Sequence, residues 1–365
     1  MKKILLVAVA VMMATMSVLA QQIQVKDSDG NAVPYASVMT TDAEYIGVTD
    51  LDGILPDVKG FSEIIVSHVA FKTQQVKVQK TGTQVITMED ADFGLNEITV
   101  SPKPFVYVQT YYRMYMYDEK DGIIYYRVGL TDNVYDRSKK KVSASTNHVA
   151  KAKYGLIKTV LGMFGSIINR HSEIKARKFE DRMVEWGKDV KLKFTDEGPG
   201  KKRISDYKGT VGYVTDDVSD HLRRLSYNST LIYLHRLEAN GKSKKLEKRE
   251  KWEAKKKNKN ETDFQLYHID DNGDYAPEDF VMKENIESWD EEDEKDGKLN
   301  HNIFCIQVFS TDRAYVTKEE LKQRKKDNKI KLTYANIQQF ERDNHIPPVA
   351  PAVQQKLGNL WKIDQ

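Results

Sequence analysis

Residues 23–100 alternate short strand-like segments with turn residues, and this pattern limits the fold more than any other feature of the chain. Period-two alternation is typical of strands that bury one face, and Asp and Gly at the breaks are typical of tight turns. About seven short strands over such a length predict a small antiparallel β-sandwich. The turns are predicted at 27–31 and 50–53, and the strand-like segments lie at 33–39, 63–68, 76–78, 83–88 and 96–100.

The same region resembles the carboxypeptidase-regulatory-like domain. The resemblance rests on Gly30 and on four segments: VPYASV at 33–38, GVTDLDG at 47–53, VSHVAFK at 66–72 and LNEITV at 95–100. That family has a transthyretin-like sandwich and is often found at the start of outer-membrane TonB-dependent receptors and other envelope proteins. The resemblance therefore implies a transthyretin/Ig-like β-sandwich over residues 21–101. The chain departs from the family at Ala70 and Phe71, where Gly and Tyr are usual.

A larger β-rich α+β domain of unknown function is predicted over residues 105–365. Pro102 and Pro104 restrict the backbone and mark a linker at 102–104. Two tyrosine-rich segments, 105–117 and 123–134, flank a charged turn that ends in Gly122, which predicts a β-hairpin. This hairpin is similar to uncharacterised envelope proteins that carry the same N-terminal module, which implies a curved, largely antiparallel sheet of the lipoprotein-carrier type.

Residues 149–174 are the strongest helix candidate in this domain. Apolar residues recur there at spacings near three, four and seven, which places them on one helix face. The simplest interpretation is a helix that closes over the sheet. The alternatives are a lid over an apolar ligand and a helix at a membrane interface, where Lys151, Lys153 and Lys158 would face anionic headgroups. In either alternative, the candidate ligand or interface residues are Leu156, Val160, Met163, Phe164 and Ile167.

Further strands are predicted at 190–194, 210–214, 231–237, 264–269 and 303–309. Short helices are predicted at 318–326, 335–342 and 352–360, with prolines between the last two.

The first twenty residues have the features of a secretory signal peptide. Lys2 and Lys3 precede an apolar run that ends at Ala20, and Gln21 and Gln22 follow. A retained signal anchor is the alternative. The only cysteine is Cys305, so the first mature position lacks the thiol that lipid attachment requires. The sequence predicts an exported protein of the periplasm or the outer-membrane surface that is not an N-terminal lipoprotein.

Charge is nearly balanced over the whole chain but strongly uneven along it. Residues 242–259 and 318–331 are basic, and 284–296 are acidic. Such runs are usually solvated faces or loops, and runs of opposite sign can also face each other. The basic runs lack the interleaved aromatic residues of a nucleic-acid-binding surface, so no nucleic-acid partner is predicted.

The sequence offers few candidates for catalysis or metal binding. His235 and Glu238 form a His-x-x-Glu pattern with His345 far downstream, but 231–237 alternates as a strand, which would separate His235 from Glu238. We therefore disfavour a metallopeptidase and expect His235 to make a local hydrogen bond. The Asp-rich loops at 27–30 and 270–274 do not complete an EF-hand, so turn chemistry is preferred to calcium binding. Cys305 lies in an apolar segment and is expected to be a buried thiol.

These observations favour a non-catalytic, exported cell-envelope protein with a binding or assembly role and no cofactor. The alternative is a carrier or sensor that encloses an apolar ligand or lipid between the tyrosine-rich sheet and the 149–174 helix. An envelope protein partner, an apolar ligand and a membrane surface all remain open as partners.

Overall fold

The computed structural model describes residues 22–93, 101–152 and 174–357, apart from 43, 56, 59, 121, 218, 293–296, 329, 334, 350, 352 and 356. The chain divides into two compact units, one comprising residues up to 91 with 350–352, the other comprising the rest. Strands dominate both units, which confirms the predicted mainly β fold with helices. Within the described ranges, no helix has both the length and the apolar character needed to cross a membrane.

The first unit forms two sheets from six strands within its described residues. The strands are β1 Gln22–Lys26, β2 Ser37–Met39, β3 Tyr45–Val48, β4 Glu63–Ser67, β5 Gln74–Lys77 and β6 Thr83–Thr87. The order β3-β2-β4-β5 is antiparallel, whereas β1 and β6 pair in parallel. The two-sheet arrangement agrees with a sandwich, but the expectation that its strands are antiparallel is wrong for β1 and β6. A parallel pair needs a long crossover, which residues 27–82 supply. The predicted strand at 96–100 lies outside the described residues.

Two turns of the first unit have the chemistry that the sequence predicts. The Asp27 carboxylate accepts hydrogen bonds from the backbone N–H groups of Asp29 (3.1 Å) and Asn31 (2.8 Å). Gly53 has a φ of +73°, and a Cβ there would lie 2.4 Å from the carbonyl oxygen of Val25. A side chain at position 53 is therefore excluded by both the backbone angle and the close approach of β1.

The second unit is built on a ten-stranded antiparallel sheet. Its strands are β7 Phe105–Asp118, β8 Gly122–Asp136, β9 Lys141–Ala152, β10 Lys193–Gly198, β11 Lys201–Ser205, β12 Thr210–Asp217, β13 Leu222–Tyr227, β14 Lys257–His268, β15 Phe280–Glu292 and β16 Leu299–Val316. Their order in the sheet is β10-β11-β12-β13-β14-β15-β16-β7-β8-β9. The predicted hairpin is confirmed as β7 and β8, and the strands predicted at 210–214, 264–269 and 303–309 lie largely or wholly within β12, β14 and β16.

Two predicted elements of this unit are placed differently. Residues 149–152 belong to β9, paired with β8 from Tyr125 to Val128, so the helix predicted over 149–174 cannot begin at 149. The pairing with β8 outweighs the local apolar spacing there. The strand predicted at 190–194 is a short 3₁₀ turn, Lys188–Val190, followed by the start of β10.

The apolar core of the second unit covers one face of the sheet. Helices α1 (Phe179–Trp186) and α2 (Ser229–Ala239) contribute Phe179, Met183 and Ile232 to the same buried cluster as the sheet. The strand predicted at 231–237 is therefore wrong, because this segment is the middle of α2. Asn228 caps α2, its side-chain oxygen accepting a hydrogen bond from the Leu231 N–H at 2.7 Å. The sheet's part of the cluster includes Val106, Val108, Ile204, Val214, Leu225, Tyr227, Tyr267, Phe280, Val308 and Tyr315.

The opposite face of the sheet carries the C-terminal helices. Helices α4 (Lys318–Asp327) and α5 (Ile337–Asp343) confirm two of the predicted short helices. Arg113 alternates with the core-facing Tyr112 on β7, so its side chain points to this second face. There it pairs with Glu341 of α5 at 3.1 Å. Of the helix predicted at 352–360, the described residues 353–355 and 357 are helical.

Parts of the basic run 242–259 and of the acidic run 284–296 lie next to each other in the second unit. The basic run forms helix α3 (Ser243–Glu253) and the start of β14, and the acidic run lies on the neighbouring strand β15. Lys259 contacts the Glu287 carboxylate at 3.1 Å, and Glu284 is buried. The interpretation of these runs as solvated faces or loops is therefore wrong for Lys259, Glu287 and Glu284. For Lys259 and Glu287 the alternative holds that runs of opposite sign face each other, because neighbouring strands bring their charges together.

Candidate ligand-binding cavity

A cavity of about 210 Å³ lies in the second unit between the loop before α1 and the start of β15. Three aromatic rings and several small apolar groups form most of its wall, and three basic residues complete it. Among the described residues, its lining contains no carboxylate. The lining residues are Ile174, Lys175, Ala176, Arg177, Lys178, Tyr267, Tyr275, Ala276, Pro277 and Phe280.

Tyr275 is held in place by polar contacts of its hydroxyl group. The hydroxyl donates a hydrogen bond to the Glu180 carboxylate at 2.6 Å and accepts one from the Phe179 N–H at 2.8 Å. Glu180 in turn pairs with Arg223 at 3.0 Å. Burial, with the nearby Glu180 charge, raises the pKa of Tyr275 well above its ordinary value, so the phenol stays neutral. The ring is therefore a fixed, uncharged wall.

Tyr267 and Phe280 complete the aromatic wall. The rings of Tyr267 and Tyr275 are 4.6 Å apart at their centroids, and Phe280 meets Tyr267 edge-on at 5.7 Å. The Tyr267 hydroxyl donates to Gln265 at 2.8 Å. Because both hydroxyls are engaged by protein groups, the rings can offer carbon surface to a ligand.

Two of the three basic residues of the lining form ion pairs with acids outside the lining. Lys178 pairs with Asp274, and Arg177 pairs with Glu185. All four side chains are more than 40% exposed. Exposed pairs of this kind contribute about 0 to 1 kcal/mol, so a ligand can compete for either cation.

Two titratable groups next to the cavity, His268 and Asp279, have pKa values that are shifted in opposite directions. Burial, followed by the charges of Arg313 and His221, lowers the pKa of His268 to about 4. Its buried Nε2 has no hydrogen-bond partner within the described part of the chain. Asp279 lies between the cavity residues Pro277 and Phe280, and burial raises its pKa to about 6.

We expect His268→Gln and Asp279→Asn to alter the pH dependence of stability in opposite directions. His268 takes up its proton more readily when unfolded, so between pH 4 and 6.5 it makes stability rise with pH. Folded Asp279 holds its proton more tightly, so between pH 3.8 and 6 it makes stability fall as pH rises. Relative to the parent, His268→Gln should gain about 1 to 2 kcal/mol on going from about pH 7.5 to about pH 5, and Asp279→Asn should lose as much.

Denaturant melts of the parent and both variants at the two pH values measure this effect. Groups elsewhere in the chain titrate equally in all three proteins, so only the differences between them matter. An identical pH dependence in the three proteins would contradict the assigned shifts.

The sequence-predicted ligand residues Leu156, Val160, Met163, Phe164 and Ile167 all lie outside the described residues. The predicted segment ends at Ile174, which is described, buried and part of the cavity lining. The sequence did not indicate any of the aromatic residues of the cavity wall as ligand-binding residues. Tyr267 and Tyr275 flank an Asp-Gly turn, but no local pattern shows that their rings meet.

The His-x-x-Glu residues are on one helix, contrary to the expected strand. His235 Nδ1 lies 2.5 Å from the Asp206 carboxylate, a contact across 29 residues rather than the local bond expected. Glu238 pairs with Lys208, and His345 lies 3.5 Å from Asp92. Each member of the pattern thus has its own protein partner.

The buried thiol predicted at Cys305 is confirmed. Its side chain is completely buried in β16, 3.8 Å from the Glu284 carboxylate. Burial raises the pKa of Cys305 well above its ordinary value, which keeps the sulfur protonated and unreactive.

Comparisons with known proteins give little similarity. No family model matches the sequence, and no curated protein matches it significantly. A solved structure described as lipid–protein interactions in lipovitellin is similar with a TM-score of 0.27 and 7% sequence identity, over 59% of this chain. The match spans 26% of the lipovitellin chain.

Proposed function

We propose that the protein is a non-catalytic binding protein exported to the cell envelope, and that its second unit binds a small ligand with an apolar part. The observation that carries this proposal is the cavity walled by Tyr267, Tyr275 and Phe280. Export is supported by the signal-like residues 1–20, and an envelope location by the resemblance of residues 21–101 to the carboxypeptidase-regulatory-like domain.

The size of the cavity limits the ligand. Pockets for drug-sized ligands are usually about 300 to 1,000 Å³. At about 210 Å³, this cavity suits one short alkyl chain or a single ring rather than a whole phospholipid. Each buried methylene group contributes about 0.8 kcal/mol, so a chain of several carbons supplies enough free energy for measurable binding.

Filling the cavity should weaken binding of a short neutral amphiphile. Ala276 lines the cavity, and its side chain takes no part in the hydrogen bond that its N–H donates to Asp279. We expect Ala276→Leu to weaken 1-octanol binding at least about tenfold, because the added carbons occupy the space of the alkyl chain. Calorimetric titration of the full chain measures this change.

Ala254→Leu is the matched control, since Ala254 is exposed at the end of α3. The same affinity for 1-octanol in both variants, or no binding by the parent, would reject the cavity as the binding site.

An assembly role is the second candidate, and the sheet edges favour it. Within the described ranges, no strand pairs with the outer edges of β9 and β10. An open edge presents backbone N–H and C=O groups that a partner strand can pair with. Recovery of a stoichiometric protein partner from detergent-solubilised envelopes, lost when Pro replaces Ser145 of β9, would support this role.

A further inference from the structure

We infer that the ligand of the cavity is an amphipathic anion, with its apolar chain against the aromatic wall and its acidic head at Arg177 and Lys178. This inference rests on the proposed binding function and names the class of ligand. The juxtaposition that carries it is a wall of three aromatic rings next to three cationic side chains in one cavity.

The cations belong to the cavity itself, whereas the acids near them do not. Lys175, Arg177 and Lys178 are lining residues. The carboxylates of Asp274, Glu185 and Glu180 lie outside the lining and pair with Lys178, Arg177 and Arg223, respectively. The Asp279 carboxylate also lies outside the lining, and it accepts a hydrogen bond from the Ala276 N–H. The charged residues of the described lining are therefore all cationic.

The aromatic wall is unsuited to a cationic head even though π faces attract cations. Protein cations already lie over the Tyr275 ring, Lys178 at 5.8 Å and Arg223 at 5.4 Å from its centroid. A cationic ligand would have to displace one of them or stay close to like charge. An anionic ligand instead replaces the exposed partners of Lys178 and Arg177, which are weakly held.

The length and position of the loop also suit this orientation. Residues 174–178 run from buried Ile174 to half-exposed Lys178, so the exposure of the lining increases along five consecutive residues that include three cations. A short chain with a terminal carboxylate matches this gradient.

Three amphiphiles of equal chain length test the inference: octanoate, 1-octanol and octylammonium. Calorimetric titration of the full chain at neutral pH should show octanoate binding at least about tenfold more tightly than 1-octanol, and octylammonium most weakly. Arg177→Gln with Lys178→Gln should remove the advantage of octanoate, so that this variant binds octanoate no more tightly than it binds 1-octanol. Lys244→Gln with Lys245→Gln is the matched control, because both lysines are exposed on α3.

The outcomes separate the inference from the proposed function. Equal binding of octanoate and 1-octanol, or tightest binding of octylammonium, would overturn the anionic head while the binding function stands. Loss of the octanoate advantage in the α3 control would show a non-specific charge effect and would also overturn it. Failure of all three amphiphiles to bind would reject both the function and the inference.

Discussion

Replacing Arg113 by Met is expected to lower the free energy of unfolding of the second unit by about 3 to 5 kcal/mol. The Arg113 side chain is completely buried on the sheet face that carries α5. It donates to Glu341 at 3.1 Å, to the Pro347 carbonyl at 2.7 Å and to Gln307. Methionine fills the space with an apolar chain but leaves the Glu341 carboxylate, only 16% exposed, without its cation. The cost arises from that carboxylate and from the polar groups that lose their donor.

A double variant separates this explanation from a general packing effect. Arg113→Met with Glu341→Met removes both charges, so it should be less destabilised than Arg113→Met alone. Arg342→Met is the control within α5, because Arg342 is exposed, and it should change stability by less than about 0.5 kcal/mol. Denaturant unfolding of the full chain measures these three variants and Glu341→Met alone. If the double variant loses as much stability as the sum of both single changes, Arg113 and Glu341 are not energetically coupled.

The β7–β8 hairpin could be predicted because its information is local. The tyrosine-rich runs and the turn ending at Gly122 are contiguous, and the turn fixes the register of both strands. The edge strand β9 gives the opposite case. Its sequence from Lys141 to Thr146 is small and polar, and it becomes a strand because β8 supplies hydrogen-bonding partners along its length. The only strong local pattern began at Val149, where the apolar spacing favoured a helix.

The error in α2 has a different cause. Residues 231–237 begin with four consecutive apolar residues, which can suggest a buried strand, but Asn228 precedes them as a helix cap. The cap was the better signal, since a short apolar run does not by itself distinguish a strand from a buried helix segment.

The cavity could not be predicted from sequence because its wall comes from separate segments. Ile174 lies before α1, Tyr267 is near the end of β14, and Phe280 opens β15. Their proximity follows from the pairing of β14 with β15, in which Tyr267 is opposite Phe280. A single sequence contains no direct record of that register, so the position of the cavity could not be predicted from it.

The second large effect is expected from the buried charge cluster around Lys259. Its ammonium group contacts carboxylates of Glu253 at 2.6 Å, Glu261 at 2.9 Å and Glu287 at 3.1 Å, and none of the four side chains is more than 18% exposed. Burial by itself would lower the pKa of Lys259, but the carboxylates, led by Glu261, hold it above its ordinary value. The lysine is therefore charged at neutral pH and offsets the repulsion among three acids.

Lys259→Met should therefore cost about 3 to 5 kcal/mol at about pH 7.5, because it leaves buried carboxylates with too little positive charge. The loss should shrink at about pH 5. Burial already raises the pKa of Glu261 in the parent protein, so in the variant this acid takes up a proton first and relieves the repulsion. Lys257→Met provides a close control, since Lys257 and its partner Glu292 are both 53% exposed and their pair should contribute less than about 1 kcal/mol. Denaturant melts at both pH values decide the question: equal losses for the two lysines, or a Lys259→Met loss that grows on acidification, would show that Lys259 does not neutralise this cluster.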